Sequence, residues 1–363
     1  MSPATPATPD TGGTAATRQP AVPDRIRAVV LDGPDRPVRI EERPVPEPAT
    51  GQVLLRVDAC GMCGSEVNLL HGHYPFAVYP TVPGHEIAAT VAATGGGVDW
   101  PRTGDRVGMP FLNSSCGHCH FCVRGDEILC QDKKITGINS PGGYQEYMVA
   151  PAAFVAPLPG GLDPLHAAPL MCAGVTTFNG LRRGGLRPGT RVAVIGTGGL
   201  GGMAARFAVA MGGRLAVLAR SAAAEPAARA AGAEVFLTTE DPERTVTALR
   251  AWEGGPQLVV NTAPSTAAVN AVLPGVAPDG TVVLLGYDAA TKVEAASLDL
   301  VMGRVRVMGS PSGSRHDLRD ALAFAAAHGI TPEVTAVRLD DAPDVIAAMA
   351  AGRAGGKSVI DFG

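Results

Sequence analysis

Apolar and polar positions alternate in two different rhythms along this chain. From Ile26 to about Phe154 the apolar residues fall in short runs cut off by Gly or Pro: RAVVL, GQVLLRVDA, EIAATVAATG, GDRVGMP and YQEYMVA. Runs of four to eight residues with that punctuation predict an all-β module with long loops. After Pro159 the rhythm changes. LDPLHAAPLMCAGVTTFNGLRR predicts a helix entered through Asp163-Pro164, a capping residue followed by a proline at the first helical position. Apolar strands then alternate with Ala-rich helices: RVAVIG, GGLGGMAARFAVAMG, RLAVLA, AAAEPAARAAGA, EVFLTT, QLVVN and TVVLLG. Near-continuous apolar strands separated by helices predict a parallel sheet covered on both faces. From about Ser310 the chain predicts two more helices and a closing strand, KSVIDF. No internal repeat is present. Residues 1–24, rich in Pro, Thr, Ala and Gly, lack periodicity and predict a disordered tail.

Composition narrows the class. The 363 residues exceed one ordinary core, so an α/β two-domain protein is expected. Apolar residues are 46% and charged residues 18%, as in globular proteins, and 46 Gly with 31 Pro suit many tight turns. A net charge of −4 leaves no electrostatic footprint for nucleic acid or an anionic membrane. No stretch approaches the roughly 20 apolar residues of a membrane span. The first residues have neither a basic start nor an apolar core, so a soluble cytoplasmic protein is expected. Seven cysteines, clustered and odd in number, then read as metal or catalytic thiols rather than a disulfide framework.

Gly196-Thr-Gly198-Gly199-Leu200-Gly201 follows the strand RVAVIG and opens a helix. Such a turn lets the backbone approach a dinucleotide pyrophosphate at the positive end of the helix. The next strand ends in Ala219-Arg220-Ser221, where an acidic residue would hold the ribose 2′-hydroxyl of NAD. A guanidinium in place of the carboxylate favours a 2′-phosphate, so NADP(H) is expected over NAD(H).

Cys116, Cys119, Cys122 and Cys130 supply four soft ligands from one loop, which suits a closed tetrahedral zinc site; an iron–sulfur cluster fits the β context less well. Cys63, His85 (followed by Glu86) and Cys172 form a second, dispersed set. Two thiolates and one imidazole leave a fourth zinc position open, as catalysis requires. Cys60 is left without a ligand role.

Together CGMCGSE, VPGHE, GDRV, the Cys116–Cys130 lobe, GGYQEY, CAGVTT, GTGGLG and GKSVIDF make the chain, from about residue 25 to 363, similar to the zinc-containing medium-chain alcohol dehydrogenases. The resemblance implies a GroES-like β catalytic domain (25–160 and 310–363) interrupted by a Rossmann NADP(H)-binding domain (161–309). It further implies two zinc ions per chain, one catalytic and one structural, and a homodimer or homotetramer. Matched residue by residue, Cys63, His85 and Cys172 are the catalytic ligands and Glu86 the glutamate behind the metal. Ser65 matches the residue that takes the alcohol proton and Thr176 one that packs on the nicotinamide. Lys357 matches a basic residue near the pyrophosphate. Tyr74, Phe76, Phe111, Leu112, Tyr287 and Met302 are expected to line the substrate cleft, favouring an apolar or aromatic alcohol or aldehyde.

Three positions depart from the family pattern. Gly64 replaces a common His or Arg. Glu66 stands where an Asp braces the zinc-bound histidine from behind, one methylene longer. Asn68 stands at the usual relay histidine, and an amide does not exchange a proton near neutrality. Proton exit through ribose and water, His71 or His73 stays open. So does a rival chemistry, NADPH-dependent conjugate reduction of an activated C=C bond, which can dispense with the relay.

Overall fold

The computed structural model describes residues 21–288, 290–353 and 355–363. Most of the tail expected over residues 1–24 therefore lies outside the described residues.

The period-2 runs of the first half build a mixed seven-stranded sheet. Its long central strand, Gln52–Gly61, pairs antiparallel with Glu86–Thr94 on one side. On the other side it pairs with Tyr147–Pro151 along its first half and with Ser358–Asp361 along its second. Arg106–Met109, Ala156–Pro157 and Thr335–Val337 complete the sheet. Arg25–Leu31 and Val38–Pro44 form a separate two-stranded ribbon. The apolar core under this region gathers Val53, Leu55, Val57, Ile87, Val91, Val107, Met109 and Met148.

The second half contains a wholly parallel six-stranded sheet. Its spatial order is Ala233–Thr238, Arg214–Ala219, Arg191–Ile195, Leu258–Asn261, Thr281–Leu284, Arg306–Gly309. The order reverses next to Arg191–Ile195, the switch point at which a doubly wound sheet binds its ligand. Val192 and Val194 face one covering core, Ala193 and Ile195 the other, which explains the unbroken apolar run.

One expectation is corrected. The single helix expected over 162–183 is broken into Pro164–Ala167, a tight turn over Ala168–Met171 and a second helix, Ala173–Arg183. Pro169 has no N–H to donate into the first helix, so the axis is reset, and Cys172 sits at the break with φ −129° and ψ −71°. The helix Arg315–Ala327 contributes Leu318, Ala321, Leu322 and Ala325 to an apolar cluster shared with Ala156, Leu170, Met171 and Phe178 as well as Val192, Val194 and Phe207. The return to the first sheet comes later, at Thr335. Among the described residues, no helix is long and apolar enough to cross a membrane.

Candidate active site

Three loop junctions converge on one buried point. Cys63 caps the helix Gly64–Leu70 in extended conformation, φ −124°. Glu66, three residues on, reaches back with both oxygens: Oε2 accepts the Cys63 N–H at 2.6 Å and Oε1 lies 2.8 Å from His85 Nδ1. The longer arm of Glu66 thus reaches the histidine, as an aspartate is expected to, and caps the helix as well. His85 is led in by Gly84, whose φ of +97° and lack of a side chain are both required. A Cβ there would stand 2.4 Å from the Tyr144 ring. Cys172 arrives from the helix break.

One ligand atom each from Cys63, His85, Glu86 and Cys172 lies within 4.8 Å of all the others. Nε2 of His85 and Oε2 of Glu86 are buried there without a hydrogen-bond partner. Such orphaned acceptors are costly unless a cation satisfies them. The thiols differ: Cys172 donates to Cys63, holding the Cys63 thiol well below its ordinary range and pushing Cys172 well above it. Burial pulls the His85 imidazole down, but Glu66 and the Cys63 sulfur outweigh it and the net shift is upward. Two sulfurs and one imidazole nitrogen, braced from behind by a carboxylate, fit a zinc ion.

Lys357 lies between the glycine turn and the ligand cluster. Its Nζ is buried, 2.6 Å from Glu86 Oε1, and donates to the Met62 carbonyl at 2.9 Å. Its methylenes run alongside the glycine turn, at Gly199. Burial drives the Glu86 carboxyl up to about 7 against the pull of Lys357.

Cys116, Cys119, Cys122 and Cys130 likewise bring their sulfurs within 4.8 Å of one another. Backbone N–H groups of His118 and Cys119 hold the Cys116 thiol down to about 7. The Cys116 N–H pulls Cys130 the same way, but burial and proton-sharing with neighbouring sulfurs push it up to about 11. The lobe is tied to the parallel-sheet unit by two ion pairs absent from the sequence reading. Asp126 meets Arg183, and Glu127 takes Arg315 with Nε 3.0 Å from both its oxygens.

At the glycine turn, Gly196 adopts φ +101°, and a Cβ on Gly201 would sit 2.2 Å from the Gly196 carbonyl oxygen. The helix Gly199–Ala210 therefore starts as close to the strand as its backbone permits, with Gly198 as cap beside open space and Leu200 half-buried behind. This is the cradle a pyrophosphate needs. Arg220 is exposed at the end of the next strand, without an ion-pair partner among the described residues, and Ser221 caps the turn that follows. Thr176 is buried one helical turn beyond Cys172.

Of the expected cleft residues, the Phe111 ring meets His85 edge-on at 5.1 Å, and Tyr74 and Phe76 are 5.6 Å apart. Tyr287 reaches Tyr74, hydroxyl to hydroxyl, at 3.0 Å. Leu112 is instead a fully buried core residue, and Met302 is 77% exposed on the helix Ser297–Gly303 with Leu298 and Val301. Asn68 Oδ1 lies 3.4 Å from His73 Nδ1, whereas His71 is held by Asp35 at 2.7 Å.

The chain is similar to known proteins over most of its length. Residues 49–160 match the alcohol dehydrogenase GroES-like domain, and residues 199–327 the zinc-binding dehydrogenase domain. An alcohol dehydrogenase of Geobacillus stearothermophilus is 36% identical over 338 residues, covering 92% of this chain and 98% of its own. A cinnamyl alcohol dehydrogenase structure from Sorghum bicolor superposes with a TM-score of 0.85 at 28% identity, over 93% of this chain and 97% of that one. A CAD from Helicobacter pylori complexed with NADP(H) gives 0.84 at 25% identity, over 93% and 98%. The chain belongs to the zinc-containing medium-chain dehydrogenase/reductases and is an oxidoreductase acting on the CH–OH group of alcohols.

Proposed function

We propose that the protein is a two-zinc alcohol dehydrogenase and aldehyde reductase that prefers NADP(H) and takes apolar or aromatic alcohols and aldehydes. The observation that carries the reading is the partnerless, buried Nε2 of His85, facing the sulfurs of Cys63 and Cys172. Those three residues would hold the catalytic zinc, and the Cys116–Cys130 lobe the structural one. When bound, zinc supplies a Lewis acid for the substrate oxygen and the nicotinamide supplies the hydride carrier.

The chain's own groups do the rest. Glu66 fixes the tautomer and direction of His85 by holding Nδ1. The Ser65 hydroxyl, 3.6 Å from Cys63 Sγ, is in place to give or take the proton of the substrate oxygen. Lys357 neutralises Glu86, so a carboxylate buried behind the metal ligands does not stand alone. Gly196, Gly198, Gly199 and Gly201 admit the pyrophosphate, and Arg220 offers the unpaired cation a 2′-phosphate would meet. Phe111, Tyr74 and Phe76 supply an aromatic wall. The likeness to the Sorghum bicolor cinnamyl alcohol dehydrogenase and to the Helicobacter pylori CAD complexed with NADP(H) supports both preferences. The exposed apolar face of Leu298, Val301 and Met302, next to the edge strand Arg306–Gly309, suits association with a second copy of the chain.

The test is metal analysis of the purified protein together with reduced-nicotinamide oxidation over aliphatic and aromatic aldehydes, with NADPH and NADH side by side. Two zinc ions per chain and faster NADPH oxidation yielding the alcohol are expected. Formation of a saturated carbonyl from an enal, with simple aldehydes inert, would move the assignment to conjugate reduction.

A further inference from the structure

Resting on the reading above, we infer that Asp126 and Glu127 of the cysteine lobe are positioning residues for the catalytic metal. Through Arg183 and Arg315 they clasp the helix that begins at Cys172, so that the lobe keeps Cys172 in place against Cys63 and His85. The two carboxylates are neighbours in sequence, between Cys122 and Cys130, yet each takes an arginine from a different helix. Asp126 meets Arg183, the last residue of Ala173–Arg183. Glu127 meets Arg315, the first residue of Arg315–Ala327, with Nε 3.0 Å from both carboxylate oxygens. Arg315 is held on two further sides, donating to the Ala153 carbonyl at 2.9 Å and lying over the Phe154 ring at 4.4 Å. The two helices are themselves joined. Arg182 lies 3.0 Å from Asp320, Asn179 donates to the Ser312 carbonyl at 2.9 Å, and the Phe178 and Phe324 rings are 5.5 Å apart. The lobe therefore grips a packed pair rather than one helix.

The geometry makes this grip a lever on the metal position. Cys172 opens the helix that Arg183 closes, and its carbonyl accepts the Thr176 N–H at 2.9 Å, so Cys172 rides on the first turn. Eleven residues of α-helix make a stiff rod of about 16 Å, which passes a displacement at one end to the other. At its root the lobe is fixed to the opposite side of the site. Phe111, just before the strand Leu112–Ser114 that leads towards Cys116, meets His85 edge-on at 5.1 Å. The chain from Phe111 to Glu127 thus reaches from one metal ligand to the helix of another. Cys116, Cys119, Cys122 and Cys130 frame the segment that carries both carboxylates, and in a small segment of this kind metal binding and folding are one process. An emptied lobe releases both arginines together. The lobe therefore has a task beyond bracing itself, which is to retain the metal at the other site.

The experiment follows zinc release to a chromogenic chelator from the full-length, zinc-loaded protein, with Cys119→Ser and Cys172→Ser identifying which phase belongs to which site. Arg183→Gln and Glu127→Gln should release the metal of the Cys63, His85 and Cys172 site about 2- to 30-fold faster than the parent, while the lobe phase keeps its rate. Arg183→Lys, which keeps a cation opposite Asp126, should release it more slowly than Arg183→Gln. Cys119→Ser, which empties the lobe, should speed the same phase. Thermal unfolding checks that each variant folds. Parent-rate release from both glutamine variants would overturn the inference. So would equal acceleration of both phases, which marks a general loosening of the fold, or equal release from Arg183→Lys and Arg183→Gln. A parent protein that binds fewer than two zinc ions per chain would overturn the functional reading itself, which is a different result.

Discussion

The Glu66 carboxylate stands 2.8 Å from Nδ1 of His85, with both side chains buried, while its other oxygen holds the backbone of Cys63. One side chain thereby sets the aim of two of the residues that face the metal position. Replacing Glu66 by Gln is expected to weaken zinc binding at this site about 10- to 100-fold. Chelator competition followed by metal analysis would show it, with the Cys116–Cys130 lobe retaining its ion. Loss of both ions together would mean that Glu66 supports the fold at large.

Arg220→Ala is expected to weaken NADPH binding about 10- to 100-fold, the scale of a charge-assisted contact to phosphate, and to leave NADH nearly untouched. Fluorescence titration with the two cofactors separates the cases. Equal losses for both would make Arg220 a structural residue.

Cys116 and Cys130 of the lobe differ in acidity. In zinc-free protein Cys116, held near 7, is already substantially thiolate at neutral pH, whereas Cys130, near 11, stays protonated. Alkylation by iodoacetamide should mark Cys116 before Cys130, and its rate should climb as the pH rises through 7. Peptide mapping after a short pulse reads the order. Restoring zinc should protect both.

Glu127 and Arg315 are 188 positions apart in sequence, and Glu127 is buried. Glu127→Ala should cost about 1–3 kcal/mol, because a charged hydrogen-bonded pair is opened and Arg315 is left without its carboxylate. Asp126→Asn, nearer the solvent, should cost within about 1 kcal/mol. Arg183 holds the Asp126 carboxyl below the ordinary carboxylate range, so its folded-state pKa is depressed. The stabilisation from that pair is complete above the unfolded carboxylate pKa of about 4, and it disappears as the pH falls through the lower folded value. Thermal unfolding between neutral and acid pH would show Asp126→Asn converging on the parent protein at the acid end.

Glutamate at Leu298 and Val301 should convert an associated protein into single chains without altering NADPH affinity, as judged by sedimentation velocity. An unchanged sedimentation coefficient would remove this face from the interface.

What the sequence made legible was whatever is dense within it. The lobe cysteines lie within fifteen positions, the glycine turn within six, and both sets lie together in space as their spacing implies. Strand identity was equally readable, because an unbroken apolar run such as RVAVI requires cover on both faces. The partner of an amphipathic helix was not. Leu318, Ala321, Leu322 and Ala325 announce a buried face but not which segments it meets. Nor does any periodicity report single side-chain contacts between remote segments, such as Lys357 with Glu86 or Tyr74 with Tyr287. The break before Cys172 had a local signal, Pro169, although the apolar content around it reads as one continuous helix.

The strand Ser358–Asp361 pairs with Ala59–Gly61, so the first sheet closes with some of the last residues of the sequence. The parallel sheet has all of its strands once Gly309 is made. During vectorial synthesis the cofactor-binding unit can therefore fold while the unit that presents Cys63 and His85 still waits for its final strand. Lys357, adjacent to that strand, reaches Glu86 only then, so the pocket around Cys63 and His85 is completed after the parallel sheet has all of its strands.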